Sequence, residues 1–420
     1  MKRELENWIS GFLEYTEGLP SPPIFRTWAA IATIAGSLQR KVWTNIQGRN
    51  LYPNQYIFLI GPPASGKSTA CDLARTFLCG VSSVHLTPSR ITEAALYVDL
   101  SEAECTYTNP ELNEVIHHHS LTAYISEIAV FLRRGDSQFL DSLTHLYDCP
   151  ELFSNKTKHS GSETIQNVCF NLIACGTQGT LSEIITENNL EQGFPSRVMM
   201  IYSAQPMEVD LFQNGSSINT AYKKELRSKL LHDIEMIADM KGEFIWSDDA
   251  AQAFIAWTKE GMRPFPLDSK FQHYAQRRIA HLTKLVMACS AARSSSLEIT
   301  LDDYAVAKSL MLEAERMMPE ATYNIGSNKL YGHMRAIVSF VVGTHARTKK
   351  PVPEYTIRQR LNREVPLNML DYILDELVAD KSLLARGNKE AHERVFLPGP
   401  SSHVHKAKVP TQYVPKNQQP

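Results

Sequence analysis

Hydrophobic and polar positions divide the chain into zones of different periodicity. Residues 1–50 are predicted to be helical, because Trp8, Ile9, Phe12 and Leu13 recur on one face of a helix. We interpret this zone as an N-terminal helical brace that packs against the rest of the protein.

Residues 51–205 combine short apolar runs with helical stretches. This alternation predicts an α/β core built on a parallel sheet. The predicted strands are residues 56–60, 84–87, 122–125, 170–175 and 197–202.

The remaining zones are mainly helical until the tail. Residues 206–327 are predicted to form a helical lid. Its predicted helices are 248–260, 271–292 and 302–317. Residues 328–400 contain three helical stretches and then two β runs, which is the order of a winged-helix domain. The polar residues 401–420 are predicted to be disordered.

A glycine-rich loop between the first predicted strand and the next helix is the strongest chemical motif. Its sequence, GPPASGKST, fits the pattern GxxxxGK[ST], in which backbone N–H groups converge on phosphate oxygens. We expect Lys67 to contact the β- and γ-phosphates of ATP and Ser68 to bind Mg²⁺. The alternative is a glycine-rich turn that binds nothing. The predicted nucleotide contacts are Gly61, Pro62, Pro63, Ala64, Ser65, Gly66, Lys67, Ser68 and Thr69.

Polar side chains follow two further predicted strands. Glu127 ends the apolar run that starts near residue 121 and is predicted to polarise the attacking water. The alternative is that Glu127 only caps the helix that follows. Thr177 and Gln178 follow the run at 170–175 and either sense the γ-phosphate or act only as turn residues.

A hairpin is predicted between these strands. Residues 153–158 and 163–168 flank a polar turn and place Lys156 and Lys158 near its tip. Such lysines are either simply solvated or, in a ring-forming motor, directed into the pore to bind DNA.

Composition limits the partners and the compartment. The 420 residues carry 43 lysines and arginines against 45 aspartates and glutamates, so any DNA site must be a local patch. Seven cysteines without a CxxC pair predict reduced thiols rather than disulfides or a zinc site. The histidines at 117–119 are predicted to lie in a solvated loop rather than to bind metal. Because no secretory segment or long apolar run is present, we expect a cytoplasmic protein that makes no membrane contact.

The order of these motifs resembles a phage and prophage family of P-loop replication helicases, which look like relatives of the MCM branch of AAA+ ATPases. The resemblance spans roughly residues 5–320. It is carried by the loop, the hairpin and the segments 51–54 (LYPN), 147–148 (YD), 176–178 (GTQ) and 193–197 (GFPSR).

The resemblance assigns two arginines. Arg197 corresponds to the arginine finger that reaches the nucleotide of a neighbouring subunit; the alternative is a surface arginine that opens a strand. Arg277 corresponds to a second sensor in the lid, with Arg278 as the alternative and a solvated helix face as the competing interpretation. Asp148, in the segment before the hairpin, is interpreted as structural.

The resemblance implies a hexameric ring that uses ATP and Mg²⁺ to move along single-stranded or forked DNA during replication, in a bacterial host cytoplasm if a phage encodes it. The resemblance also implies other replication proteins as partners. Two alternatives are an ATP-switched helicase loader or initiator and a DNA-independent protein-remodelling ATPase. The winged helix is expected to contact DNA or protein, and Asp371 and Asp375 on its third helix argue against insertion into DNA.

Overall fold

The structure is a computed structural model that describes most of the chain. The described residues are 2–88, 91–109, 113–133, 136–157, 161–185, 193–205, 220–264, 271–323, 325, 329–361, 367–379, 381–388 and 393–400. The chain divides into two compact units, Met1–Ile325 and Gly326–Pro420.

A mostly parallel sheet organises the first unit. The strands of this unit are β1 (Val42–Ile46), β2 (Arg49–Leu51), β3 (Tyr56–Ile60), β4 (His85–Leu86), β5 (Glu104–Thr108), β6 (Val115–Ile125), β7 (Leu152–Thr157), β8 (Gly161–Gln166), β9 (Val168–Gly176), β10 (Met199–Tyr202), β11 (Gly242–Glu243), β12 (Ile245–Trp246) and β13 (Glu298–Ile299). Among the described residues, five strands run parallel in the order β10–β3–β9–β6–β4, and β5 pairs antiparallel with β6. The predicted α/β class with a parallel sheet is therefore confirmed.

Helices enclose this sheet. They are α1 (Trp8–Tyr15), α2 (Pro23–Leu38), α3 (Lys67–Leu78), α4 (Glu93–Glu102), α5 (Ile128–Phe131), α6 (Ser137–Tyr147), α7 (Gln178–Ile184), α8 (Thr220–Ala238), α9 (Asp248–Lys259), α10 (Gln272–Arg293) and α11 (Leu301–Ala321). Every side chain of β3 and β9 is buried. Because successive side chains of a strand point to opposite faces, both faces of the sheet must be covered.

One hydrophobic core runs through the whole first unit, from the N-terminal helices to the helices predicted as a lid. Trp8 stacks on Phe12 and meets Phe77 of α3 edge-on. In α2, the carbonyl of Ala32 accepts a hydrogen bond from the Asn171 amide of β9 at 3.0 Å. The prediction that residues 1–50 are helical is wrong at 42–50, where the β-branched and aromatic residues of β1 pair with β2 in a hairpin.

The histidines at 117–119 lie in β6, so the prediction of a solvated loop is wrong. The strand is paired with β5 on one side and β9 on the other, which gives its backbone groups partners. His118 is buried and its Nδ1 lies 2.8 Å from Ser120 Oγ, while burial lowers its pKa to about 3. Within the described ranges, no cluster of histidine, cysteine or carboxylate side chains could hold a metal ion.

The second unit has its own small core. Its elements are α12 (Lys329–Thr348), β14 (Val352–Pro353), α13 (Glu354–Leu361), α14 (Leu367–Ala379), β15 (Leu383–Arg386) and β16 (Val395–Pro398). The strands form an antiparallel sheet in the order β14–β16–β15. The observed order of three helices and a two-stranded ribbon agrees with the sequence pattern, to which the structure adds β14. Residues 401–420, predicted to be disordered, lie outside the described residues. In the described part of both units, every helix is too short or too polar to cross a membrane.

Candidate functional site

The glycine-rich loop joins the carboxyl end of β3 to the start of α3. Its chain turns through left-handed backbone conformations at Ala64 (φ 59°) and Gly66 (φ 76°), and α3 begins at Lys67. Pro62, Pro63, Ala64 and Ser68 are exposed, Gly66 and Thr69 are partly buried, and Gly61, Ser65 and Lys67 are buried. The free N–H groups of the first turn of a helix favour an anion, so an exposed loop at this place suits a phosphate.

The Lys67 ammonium lies within this loop. Its Nζ donates to the carbonyl of Gly61 at 3.0 Å, to that of Pro62 at 2.6 Å and to Ser65 Oγ at 3.0 Å. Burial lowers the pKa of Lys67. A phosphate oxygen can take the place of these neutral acceptors and would bind the ammonium more strongly. Ser68, exposed in the first turn of α3, is the loop hydroxyl suited to Mg²⁺, as the motif predicts.

Two glycines of the loop are sterically required. A Cβ atom on Gly66 would lie 1.9 Å from the Pro20 carbonyl oxygen and 2.6 Å from Ser21 Cα. A Cβ atom on Gly61 would lie 2.5 Å from the Ser203 carbonyl oxygen. The backbone of the segment before α2 therefore packs directly on the loop, a contact that the sequence pattern does not reveal.

Glu127 lies near the loop at the same edge of the sheet. In β9, Gly176 is paired with Ile60 of β3, and Ala174 is paired with Ile125 of β6. Glu127, two residues after Ile125, is therefore at the level of Gly176 and two strands away from β3. With strands about 4.8 Å apart, its Cα is about 10 Å from the end of β3. The side chain is exposed and makes no capping hydrogen bond, although Glu127 immediately precedes α5. Glu127 thus occupies the N-cap position that the capping interpretation gives it, but without a capping hydrogen bond from its carboxylate.

Thr177 and Gln178 lie at this edge too, but their side chains make local contacts. Thr177 Oγ1 caps α7 by accepting from the Thr180 N–H at 3.1 Å, the role of a turn residue. The Gln178 amide donates to the Glu320 carbonyl at 2.5 Å and so joins the sheet edge to the end of α11. Neither contact requires a nucleotide.

Arg197 lies at the opposite edge of the sheet. It ends a short 3₁₀ turn, Pro195–Arg197, just before β10, which runs parallel to β3 with Met199 opposite Ile57. At about 3.3 Å per residue, this register separates Arg197 from the loop of its own chain by about 20 Å. Its side chain is only 6% exposed, so the interpretation as a surface arginine is wrong.

Arg197 and Arg277 share one carboxylate. Arg197 Nη2 donates to Asp148 Oδ2 at 2.5 Å, and Arg277 Nη1 donates to Asp148 Oδ1 at 3.3 Å. Arg197 Nη1 also donates to the carbonyl of Gly193 at 2.9 Å. Burial and then the charge of Arg197 lower the pKa of Arg277, and Asp148 opposes this shift. The structure thus brings together the two arginines that the resemblance singled out.

A cleft of about 500 Å³ opens beside these arginines. Arg49 from β2 and His273 and Gln276 from α10 line it together with Arg197 and Arg277. Sequence reasoning missed the first three residues, because they come from distant segments and belong to no motif. A cleft with three arginines suits an anionic group.

Arg278 has a different environment from Arg277. Its Nε and Nη2 donate to Glu315 Oε1 and Oε2 at 2.7 and 2.8 Å, and both side chains are almost completely buried. The Tyr274 hydroxyl also donates to Glu315, at 3.1 Å. Arg278 is therefore committed to the interior of the unit, which leaves Arg277 as the arginine able to meet a ligand.

The predicted hairpin is present as β7 and β8, in which Lys156 is opposite Ser162. The predicted DNA contacts are Lys156 and Lys158. The side chain of Lys156 and the whole of Lys158 lie outside the described parts of the structure.

Two groups of candidate site residues thus lie at opposite edges of one sheet: the loop with Lys67 and Glu127 at one edge, and Arg197 with Arg277 at the other. A comparison with models of known protein families found no match, and a search of curated proteins found none either. The class of protein is therefore inferred from these two groups.

Proposed function

We propose that this chain is a P-loop ATP hydrolase with an AAA+-type core and a C-terminal winged helix, and that it works as a ring on DNA. The observation that carries the proposal is the distance of about 20 Å between the loop and the arginine pair, estimated from strand register. A subunit with this arrangement holds half of a catalytic site at each edge.

The loop edge supplies the nucleotide-binding half. Residues 61–69 would cradle the phosphates of ATP, with Lys67 directed at the β- and γ-phosphates and Ser68 as a ligand of Mg²⁺. The bound metal would neutralise charge on the phosphate oxygens. Glu127, exposed about 10 Å from the end of β3 by strand spacing, would accept a hydrogen bond from the attacking water and polarise it.

The arginine edge supplies the other half to a neighbouring subunit. Arg197 and Arg277 are too far from their own loop to meet its phosphates, whereas a head-to-tail neighbour can present its loop to them. Repetition of such a contact closes into a ring if the rotation between subunits allows it. Guanidinium groups at that interface would stabilise the charge that develops on the transferred phosphoryl group.

Single-stranded or forked DNA is the proposed client. The β7–β8 hairpin begins four residues after Asp148, so a change at the interface has a short covalent path to the hairpin with Lys156 and Lys158. Lysines that contact the phosphate backbone of a DNA strand bind any base sequence, as a translocating ATPase requires. Other replication proteins are proposed as further partners.

The test is ATP hydrolysis by the wild type, Lys67→Ala and Arg197→Ala, each with and without single-stranded DNA. We expect DNA to stimulate the wild type, both variants to be inactive, and a mixture of the two to recover part of the activity. Recovery would require that one subunit lend its arginine to the loop of another. If Arg197→Ala hydrolyses ATP at the wild-type rate, the shared site is refuted.

Two further outcomes separate the competing functions. Strand displacement on a forked substrate, accompanied by steady hydrolysis, distinguishes a helicase from an ATP-switched loader or initiator. Hydrolysis that DNA does not change would instead indicate an ATPase that remodels proteins.

A further inference from the structure

Asp148 is the one described carboxylate that contacts both Arg197 and Arg277. It follows α6 directly, and its side chain is 46% exposed, whereas that of Arg197 is 6% exposed. We propose that Asp148 is a positioning residue that holds Arg197 and Arg277 as a pair for a phosphate of the neighbouring subunit's nucleotide. This inference rests on the proposed function.

The hydrogen bonds to Asp148 leave donors for a phosphate. A guanidinium has five N–H donors, and each arginine gives one of them to this carboxylate. Arg197 gives a second donor to the carbonyl of Gly193, and its Nε is buried, so its remaining Nη hydrogens are the donors for a phosphate in the cleft that this residue lines. Within the same part of the chain, Arg277 donates to Asp148 alone. Each arginine therefore keeps N–H groups that are not bonded to Asp148, which favours a positioning role over a blocking one.

Charge repulsion explains why such a residue is needed. Two guanidinium groups beside one another repel, and the repulsion grows as solvent is excluded. The Arg277 side chain is 34% exposed, so without the carboxylate it is free to turn towards water. One carboxylate between the two cations offsets the repulsion and fixes their spacing, while the cluster keeps a net positive charge that attracts phosphate.

The backbone position of Asp148 is fixed by hydrogen bonds of the residue that precedes it. The preceding residue, Tyr147, is buried, and its hydroxyl donates to His281 Nδ1 at 3.2 Å. His281 Nε2 in turn donates to the carbonyl of Ser196 at 2.9 Å, next to Arg197. These hydrogen bonds join the end of α6, the 3₁₀ turn and α10, which are the three segments that carry Asp148, Arg197 and Arg277.

The helix does not depend on the Asp148 side chain. Its C-cap uses the backbone N–H of Asp148, which donates to the carbonyls of His145 and Leu146. Asp148→Asn therefore keeps the cap and the size of the side chain while it removes the charge.

The experiment compares Asp148→Asn and Asp148→Glu in the full chain with Asp141→Asn, an exposed carboxylate on the same helix. We expect Asp148→Asn to lower the kcat for ATP at least about tenfold, because misplaced catalytic groups cost up to about 100-fold. The KM for ATP should change less than about twofold, since the loop edge binds the nucleotide. Asp148→Glu should recover part of the rate, and Asp141→Asn should match the wild type.

Mixing experiments identify the half-site to which Asp148 belongs. Asp148→Asn mixed with Lys67→Ala should regain activity, whereas Asp148→Asn mixed with Arg197→Ala should not, because both defects lie on the arginine edge. The proposal is overturned if Asp148→Asn regains no activity with either partner, as a misfolded variant would behave. It is also overturned if Asp148→Asn has the wild-type kcat. If Lys67→Ala and Arg197→Ala fail to complement each other, the shared site itself is refuted.

Discussion

Replacing Arg278 with methionine is expected to destabilise the first unit, whereas the same change at the adjacent Arg277 is expected to spare it. Arg278 and Glu315 form a two-bond ion pair whose side chains are 2% and 3% exposed. Removal of one partner from a buried pair leaves the other charge uncompensated and costs about 3–5 kcal/mol. Arg277 is 34% exposed, and the loss of such a contact costs about 0–1 kcal/mol.

The charge left behind in Arg278→Met gives the prediction a second readout. Burial already raises the pKa of Glu315, and the arginine opposes that shift. Without the arginine, the pKa of Glu315 in the folded state should rise further. Glu315 then stays protonated in the folded state at pH values at which it is ionised in the unfolded state. The stability of the variant should therefore fall as pH rises from the usual carboxyl range through the raised pKa. Additional replacement of Glu315 by glutamine should restore part of the lost free energy, because no charge then remains buried.

The measurement is urea unfolding followed by tryptophan fluorescence, since the Trp257 ring lies 5.0 Å from the Arg278 guanidinium. ATP hydrolysis is measured on the same preparations, and Arg277→Met should lose activity while its free energy of unfolding stays within about 1 kcal/mol of wild type. Equal destabilisation by the two variants, or a wild-type unfolding midpoint for Arg278→Met, would refute the division of roles between these arginines.

Two further predictions concern the loop and pH. Gly66→Ala should abolish binding of a fluorescent ATP analogue, because its Cβ would lie 1.9 Å from the Pro20 carbonyl oxygen; Gly80→Ala, which meets no atom within 4 Å, is the control. Nucleotide affinity retained in Gly66→Ala would contradict this account of the loop. Burial lowers the pKa of His281 from 6.5 to about 4, so stability should fall by about 3 kcal/mol as pH drops through this window, where the unfolded state binds the proton. Urea unfolding at several pH values should show that the free energy of unfolding depends less on pH in His281→Gln than in the wild type. An unchanged pH dependence would exclude His281 as the cause.

The parts of the fold that sequence can predict are those fixed by local apolar runs. The runs at 56–60 and 170–175 correspond to the buried strands β3 and β9. The helices predicted at 248–260, 271–292 and 302–317 agree to within a few residues, whereas α8 is not among the predicted helices. The start of β6 escapes such a prediction because the three histidines at 117–119 interrupt the apolar run and acquire their strand conformation by pairing with β5 and β9. Pairing between distant segments leaves no periodic signal in either segment.

The candidate site also has one part that a local sequence motif predicts and one part that depends on contacts between distant segments. The loop is one continuous motif, so the sequence alone identifies its residues. Asp148 contacts Arg197, which lies 49 positions further along the chain, and Arg277, which lies 129 positions further along. No local sequence pattern can contain such a contact. Nor can sequence choose between Arg277 and Arg278. Adjacent residues of a helix point about 100° apart, and only the packing of α10 decides which of them is buried.

The charges of the second unit bear on the choice between DNA and protein as its partner. Arg358 on α13 pairs with Glu354 and Asp371, and Arg394 pairs with Glu354 at 2.7 Å and Asp375 at 2.6 Å. The two aspartates lie on α14, the helix that would enter a major groove. Because these arginines already neutralise carboxylates that join α13, α14 and the start of β16, they add little net positive charge for phosphate contacts. Under the proposed function, this distribution favours a protein partner for α14 and assigns DNA contact to the first unit.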